Sequence, residues 1–306
     1  MAAILAAATA LPPVEAGKAD LDVVVTIKPI HSMVTQLLDG VATPRLLVEG
    51  AATPHSFALK PSAVRALHGA DVFVRVSESL EPFTGKLVRA LPASVDVVTV
   101  ADVAGLHLLD RRMSGTFEEE GEAHHDDEHA HSEDKDGHVW LDASNAKRIV
   151  KHLAQVLSQH APAAANRIEA NAAGLSARID ALDAELQAAT QPLAGRPFIV
   201  FHDALRYFED RYGLDAIGSI TVSPEVQPSA KRLTDLRSKI RELGAVCVFS
   251  EPMFQPRLVA AVTEGTEARS GTLDPLGAML PSGGEHYFQL MRNLAAALKA
   301  CLDPST

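Results

Sequence analysis

Three histidines and one aspartate lie where a metal site could form. His55 follows a β-rich run, His202 comes immediately after another, and Asp274 comes directly after a third, while His138 lies where a polar segment gives way to the apolar residues Val139–Leu141. Imidazole nitrogens with a carboxylate are ligands that suit Zn²⁺, which prefers tetrahedral sites of N, S and O atoms. Each position alone is more often structural, but four of them spread over both halves of the chain predict a metal site.

Alternating strands and helices explain how these residues could converge. The first half is predicted to contain strands at 23–27, 45–48, 71–76 and 95–100, with helices at 30–38, 60–68 and 82–90. The second half repeats the pattern, with strands at 198–201, 216–221, 245–250 and 267–272 and helices at 204–211, 229–243, 257–263 and 286–302. Such alternation predicts parallel sheets, and ligands of open α/β sheets bind beyond the carboxyl ends of the strands. We therefore expect an α/β protein with two parallel-sheet lobes that face each other across a metal-binding cleft.

A long helix is predicted between the two halves. Apolar residues recur on one face of the stretch from Pro162 to Ala189, at Ile168, Leu175, Ile179, Leu182 and Leu186. A helix of about 28 residues spans about 42 Å and would form a rigid linker. We divide the chain into residues 1–19, an N-terminal lobe over 20–160, the linker helix over 161–190 and a C-terminal lobe over 191–306.

An acidic, histidine-containing segment interrupts the N-terminal lobe. Residues 116–137 hold ten carboxylates and one lysine, so this segment carries nine of the eleven net negative charges of the chain. With almost no apolar residues it cannot offset the entropy of ordering, which predicts a disordered loop. Its four histidines, which we expect to hold zinc more weakly than the cleft does, are His124, His125, His129 and His131. The alternative is a solvated acidic insertion that only tolerates metal.

Composition excludes some classes of protein. The net charge of −11 over 306 residues argues against nucleic-acid binding, which needs a basic surface. No apolar run reaches the ~20 residues that a membrane-spanning helix needs. The alanine-rich start of the chain is typical of a signal peptide, although no basic residue precedes Lys18. Residues 1–19 are therefore a signal peptide or a disordered N-terminus.

The chain has two cysteines, Cys247 and Cys301. In an exported protein, two cysteines can form one disulfide, which here would join the last helix to a strand of the same lobe. Two buried free thiols are the alternative.

Four segments together resemble a known family. TPHSFALKPS, GHVWLD, VFHDALRYFEDRYGL and GTLDPLG, with the acidic histidine loop before His138, are similar to the zinc-binding components of ABC importers, the ZnuA type. The resemblance implies two Rossmann-like lobes, a rigid helical linker and a metal in the cleft, with His55, His138 and His202 as ligands. It places Asp274 or a water at the fourth position and a disulfide between Cys247 and Cys301. It also implies a periplasmic, non-enzymatic protein that delivers Zn²⁺ to the importer's membrane permease.

The identity of the metal depends most on His202. Manganese-binding members resemble this chain but carry a glutamate at that position, whereas three imidazoles and one carboxylate favour Zn²⁺, with Cu²⁺ and Ni²⁺ as competitors. We expect a monomer, and other periplasmic zinc chaperones are left open as partners. The alternative functions are a periplasmic zinc buffer or chaperone, an adhesin of the same fold and a zinc hydrolase. A carboxylate at the fourth position would remove the reactive water that a hydrolase needs.

Overall fold

Runs of apolar and β-branched residues form two sheets, each of four parallel strands. A computed structural model describes residues 21–112, 117, 135–221, 224, 227–254 and 257–303. The first sheet has the order β2-β1-β3-β4, and its strands are β1 (Val23–Val25), β2 (Arg45–Leu46), β3 (Val72–Arg75) and β4 (Asp96–Thr99). The second sheet has the order β6-β5-β7-β8, and its strands are β5 (Phe198–His202), β6 (Ala216–Thr221), β7 (Cys247–Ser250) and β8 (Arg269–Thr272). The predicted α/β class with two parallel-sheet lobes is confirmed.

Nine α-helices occur in the described part of the chain. They are α1 (Lys28–Leu37), α2 (Pro61–His68), α3 (Phe83–Ala90), α4 (Ala143–His160), α5 (Ala165–Thr190), α6 (Arg206–Tyr212), α7 (Ala230–Leu243), α8 (Arg257–Thr263) and α9 (His286–Leu302). All were expected within a few residues except α4, which the sequence analysis did not include. Its signal is the buried series Ile149, Val150, Leu153 and Leu157. None of the helices in the described ranges is long and apolar enough to cross a membrane.

Helix α5 connects the two lobes. Its 26 residues correspond to about 39 Å. The predicted apolar stripe is buried, and the helix packs against α4 and α1 of the first lobe and α9 of the second. It begins at Ala165, because Pro162–Ala164 form a separate 3₁₀ turn. The buried faces of both lobes join in one continuous core, so α5 is held along its length by packing.

Further contacts tie the lobes to each other near the cleft. The Lys28 ammonium donates hydrogen bonds to the carbonyls of Ala278 (2.6 Å) and Leu280 (3.0 Å). The indole of Trp140 donates a 3.0 Å hydrogen bond to the carbonyl of Pro275. These bonds join the amino end of α1, and the turn after His138, to the segment between β8 and α9.

Cys247 and Cys301 form a disulfide, with their Cα atoms 6.1 Å apart. Cys247 begins β7 and Cys301 lies in the last turn of α9, so the bridge lies within the second lobe, as predicted.

Several predictions concern residues outside the described ranges. They are the signal peptide at 1–19 and most of the loop 116–137, including His124, His125, His129 and His131. At the carboxyl end of the loop 116–137, Lys135 pairs with Asp110 and Asp136 is buried in the first lobe. Near the other end of the loop, the Arg112 guanidinium lies 4.0 Å above the ring of Phe117. The Phe117 amide donates a 3.2 Å hydrogen bond to the Ile217 carbonyl.

Candidate metal centre

His55 lies in the turn that follows β2. Residues Pro54–Ser56 form a short 3₁₀ helix, and the Thr53 hydroxyl at its amino end accepts a 3.3 Å hydrogen bond from the His55 amide. A threonine before a proline suits this position, because the proline needs no acceptor for its nitrogen. The side chain of His55 is half-buried and faces the second lobe, with its ring centroid 5.5 Å from that of His202.

His138 precedes a buried 3₁₀ turn, Val139–Leu141, and is held by the residue two before it. One oxygen of Asp136, Oδ1, accepts hydrogen bonds from the His138 backbone amide (3.0 Å) and ring Nδ1 (2.6 Å). Both side chains are buried. Gly137 between them has no room for a side chain, since an added Cβ would lie 2.9 Å from Leu80 Cβ.

His202 is the last residue of β5, and Glu251 comes directly after the neighbouring parallel strand β7. Parallel neighbours end at the same edge of a sheet, which places the two side chains together. Glu251 Oε1 accepts a hydrogen bond from the ring Nδ1 of His202. It also accepts a 3.3 Å hydrogen bond from the backbone amide of His202. His202 Nε2 is buried and has no hydrogen-bond partner among the described residues.

The three histidines converge. One ring nitrogen from each lies within 4.8 Å of the other two, and the ring centroids are 5.5–5.8 Å apart. Three nitrogens bound to one Zn²⁺ at 2.0–2.1 Å would be roughly 3.4 Å apart in a tetrahedral site, so small side-chain movements complete the geometry. A cavity of about 140 Å³ adjoins them, and its wall includes Asp203, Arg111 and Arg112.

Burial and neighbouring charges shift the pKa values of His55, His202 and Asp136 in different directions. Burial lowers the pKa of His55 well below its usual value, and the neighbouring His202 and His138 lower it further. His55 is therefore neutral near pH 7. Burial would also lower the pKa of His202, but the Glu251 carboxylate outweighs this effect and raises it. For Asp136, burial acts to raise the pKa and the neighbouring His138 more than offsets it, so that the pKa is lowered and the carboxylate stays charged.

Asp274 is not brought into the group of histidines. It follows β8, its carboxylate accepts 3.3 Å hydrogen bonds from the amides of Leu276 and Met279, and it is not among the side chains that line the cavity. Because β7 lies between β5 and β8, the ends of those two strands are separated by two strand spacings, about 9.6 Å.

Asp136 and Glu251 were not predicted as site residues from the sequence. Both had a signal in the sequence, since Asp136 is two residues before a proposed ligand and Glu251 ends an apolar run. Neither signal was specific: Asp136 looked like one more carboxylate of the acidic loop, and the pairing of β5 with β7 could not be read from the chain.

Comparisons with known proteins agree with this architecture. The family described as "Zinc-uptake complex component A periplasmic" matches residues 23–301. A high-affinity zinc uptake system protein, ZnuA of Brucella abortus, is 44% identical over 304 residues, which cover 92% of this chain and 91% of the relative. A crystal structure of ZnuA superposes with a TM-score of 0.78 at 27% identity, covering 92% of this chain and 99% of that one.

The laminin-binding protein of Streptococcus agalactiae, a bifunctional protein with adhesin and metal-transporting activity, has a TM-score of 0.76 but only 24% identity, over 92% of this chain and 100% of its own. That likeness shows the shared fold alone. The family match covers nearly the whole described chain. The sequence identity to the Brucella relative, 44%, is far higher than the 24% identity that shows a shared fold alone. The chain belongs to the ZnuA family of periplasmic zinc-uptake components.

Proposed function

We propose that this protein captures Zn²⁺ in the periplasm with His55, His138 and His202 and delivers it to the membrane permease of an ABC importer. The observation that carries the proposal is the convergence of three ring nitrogens, of which the buried Nε2 of His202 has no partner among the described residues. A buried polar atom without a partner is costly, and a bound cation would supply the missing partner. Membership of a zinc-uptake family supports zinc as the cargo.

The ligand set also supports zinc over harder cations. Among the described residues the metal-ligating group consists of three imidazoles and includes no carboxylate, and such a group forms a softer site than the oxygen-rich sites that suit Mn²⁺. We propose a water as the fourth ligand, because the carboxylate of Asp274 is engaged by backbone amides. Asp274 is the alternative fourth ligand, and it would need to move to reach the ion.

The family is one of periplasmic transport components and not of enzymes, which supports the proposal of an exported, non-enzymatic protein. We further propose that this chain acts as a monomer with the division into lobes at 20–160 and 191–306 and a linker helix at 161–190. The acidic loop would collect zinc through His124, His125, His129 and His131 and pass it toward His138, where the loop rejoins the fold.

Substitution of the histidines tests the proposal. His202→Ala, His55→Ala and His138→Ala should each weaken Zn²⁺ binding at least ~10-fold, the scale found even for lost indirect contacts to a metal. Chelator competition measures the affinity, and His68→Ala, which changes an exposed histidine of α2, is the matched control. Wild-type zinc affinity in His202→Ala would remove His202 from the site and contradict the proposed function.

A further inference from the structure

Two of the three clustered histidines share an arrangement that the third lacks. In each lobe, a single carboxylate oxygen accepts both the backbone amide and the ring Nδ1 of one histidine. Asp136 does this for His138, and Glu251 does it for His202. Within the described part of the chain His55 makes no comparable contact, and its amide donates to the Thr53 hydroxyl.

The arrangement determines which nitrogen can bind a cation. A neutral imidazole carries one proton, and a carboxylate that accepts from Nδ1 keeps the proton there. The lone pair is then on Nε2, the nitrogen that in His202 is buried without a partner among the described residues. Because the same oxygen also binds the backbone amide of that histidine, the ring has little freedom to rotate away.

Both carboxylates are themselves held firmly. The backbone of Asp136 donates to the Leu109 carbonyl at 2.9 Å and accepts from the Tyr207 hydroxyl at 2.9 Å. Glu251 is 5% exposed, and its carbonyl accepts from the amide of Phe254 at 3.1 Å. Neither side chain is therefore a mobile surface acid.

Stability alone does not explain these two acids. The second oxygen of each, Asp136 Oδ2 and Glu251 Oε2, is buried with no hydrogen-bond partner among the described residues. Burying a carboxylate that is only partly hydrogen-bonded is unfavourable, so these two acids lower the stability of the folded protein. A divalent cation bound by three neutral imidazoles would bring two positive charges, and the two carboxylates would balance them.

We propose that Asp136 and Glu251 are positioning residues for the metal, one from each lobe, which orient His138 and His202 with Nε2 toward the ion and neutralise its charge. The inference rests on the proposed function. Ligand histidines in metalloproteins commonly donate their second ring nitrogen to such a partner, and loss of the partner typically costs 10–100-fold in metal affinity.

The isosteric variants Asp136→Asn and Glu251→Gln test the inference, because they keep an acceptor oxygen and remove the charge. Each should weaken Zn²⁺ binding about 10-fold or more by chelator competition, and the double variant should weaken it further. The visible spectrum of bound Co²⁺, which reports on the geometry of the ligand nitrogens, should change as well. A role confined to folding would not alter that spectrum in folded protein.

Glu81→Gln is the matched control, since Glu81 is a fully buried carboxyl group of the first lobe that accepts from the Val76 amide and, among the described residues, has no hydrogen bond to a clustered histidine. It should keep wild-type zinc affinity and the wild-type Co²⁺ spectrum. Circular dichroism of the metal-free proteins confirms folding, and if Asp136→Asn does not fold, Glu251→Gln in the other lobe carries the test.

Wild-type zinc affinity in both Asp136→Asn and Glu251→Gln, together with the loss of affinity in His202→Ala, would overturn this inference and leave the proposed function standing. An equal loss in Glu81→Gln would also overturn it, because replacing any buried carboxyl group would then be sufficient. Unchanged affinity in His202→Ala would instead contradict the proposed function itself.

Discussion

The hydroxyl of Tyr207 donates a 2.9 Å hydrogen bond to the carbonyl of Asp136, and so joins α6 of the second lobe to the segment that carries His138. The same hydroxyl accepts a 3.1 Å hydrogen bond from the amide of Leu109. One phenol thus connects both ends of the acidic segment, whose flanking residues Asp110 and Lys135 form an antiparallel bridge.

Tyr207→Phe should destabilise the protein by about 1–3 kcal/mol, because it leaves the Asp136 carbonyl and the Leu109 amide without this partner. Urea denaturation of the metal-free protein measures the free energy of unfolding. Tyr212→Phe is the control: its hydroxyl donates to Asp183, which also pairs with Arg211, so the loss should be smaller. Equal losses in the two variants would contradict the special role of Tyr207.

Asp274→Asn should leave zinc affinity within about twofold of the wild type, because the carboxylate is engaged by the amides of Leu276 and Met279 and not by the histidine group. Chelator competition measures the zinc affinity of Asp274→Asn, with His202→Ala as the variant for comparison. A loss of ~10-fold or more would identify Asp274 as the fourth ligand after all and show that the segment moves when zinc binds.

His202→Glu should shift the preference between metals toward Mn²⁺, because it replaces a nitrogen ligand with harder oxygens. Glu251 lies against this position, so two carboxylates would meet in a buried place and the absolute affinity should fall. The double variant His202→Glu with Glu251→Gln removes that repulsion. Competition between Zn²⁺ and Mn²⁺ measures the ratio of affinities, and a wild-type ratio in both variants would refute this account of selectivity.

Glu81 should make stability depend on pH. Burial raises its pKa from 4.5 to about 7, so between these values the folded state keeps a proton that the unfolded state has released. The free energy of unfolding therefore falls as pH rises through this window, by up to about 3 kcal/mol. Glu81→Gln cannot ionise and should gain stability relative to the wild type at pH 8 but not at pH 4.5, as measured by urea denaturation. If the difference in the free energy of unfolding between the two proteins did not change with pH, folding would not raise the pKa of Glu81.

Deletion of residues 118–134 should lower the number of zinc ions bound while leaving the tight site intact. The deletion stops before Lys135, because Lys135 and Asp136 belong to the fold around His138. A segment that must order itself to bind metal is expected to bind more weakly than a preformed site. Calorimetry counts the ions, and uptake under zinc limitation tests the collecting role. An unchanged stoichiometry would exclude that role for His124, His125, His129 and His131.

Sequence periodicity was sufficient for most of the architecture. Helix α9 begins and ends where the pattern predicted, and β6 matches its predicted limits. The position of His202 followed from the same reasoning, since the end of a parallel strand is a local property. The order of the strands is not local, and for that reason Asp274 was expected near a histidine from which β7 separates it.

Asp136 and Glu251 show a second limit of the same kind. Each is recognisable only once the partner of a histidine ring is known, and for Glu251 that partner is 49 residues away along the chain. Composition also concealed Asp136, because it follows a run of acidic residues and looks like one more of them. Its burial depends on Leu109 and Tyr207, which lie on other segments.

The three histidines are divided unequally between the lobes. His55 and His138 belong to the first lobe and His202 ends a strand of the second. An ion held by all three is therefore a reversible cross-link between distant parts of the chain. Any separation of the lobes carries His202 and Glu251 away together and leaves a two-histidine chelate with one counter-charge. Opening by a few ångströms would thus weaken coordination and charge balance in a single step.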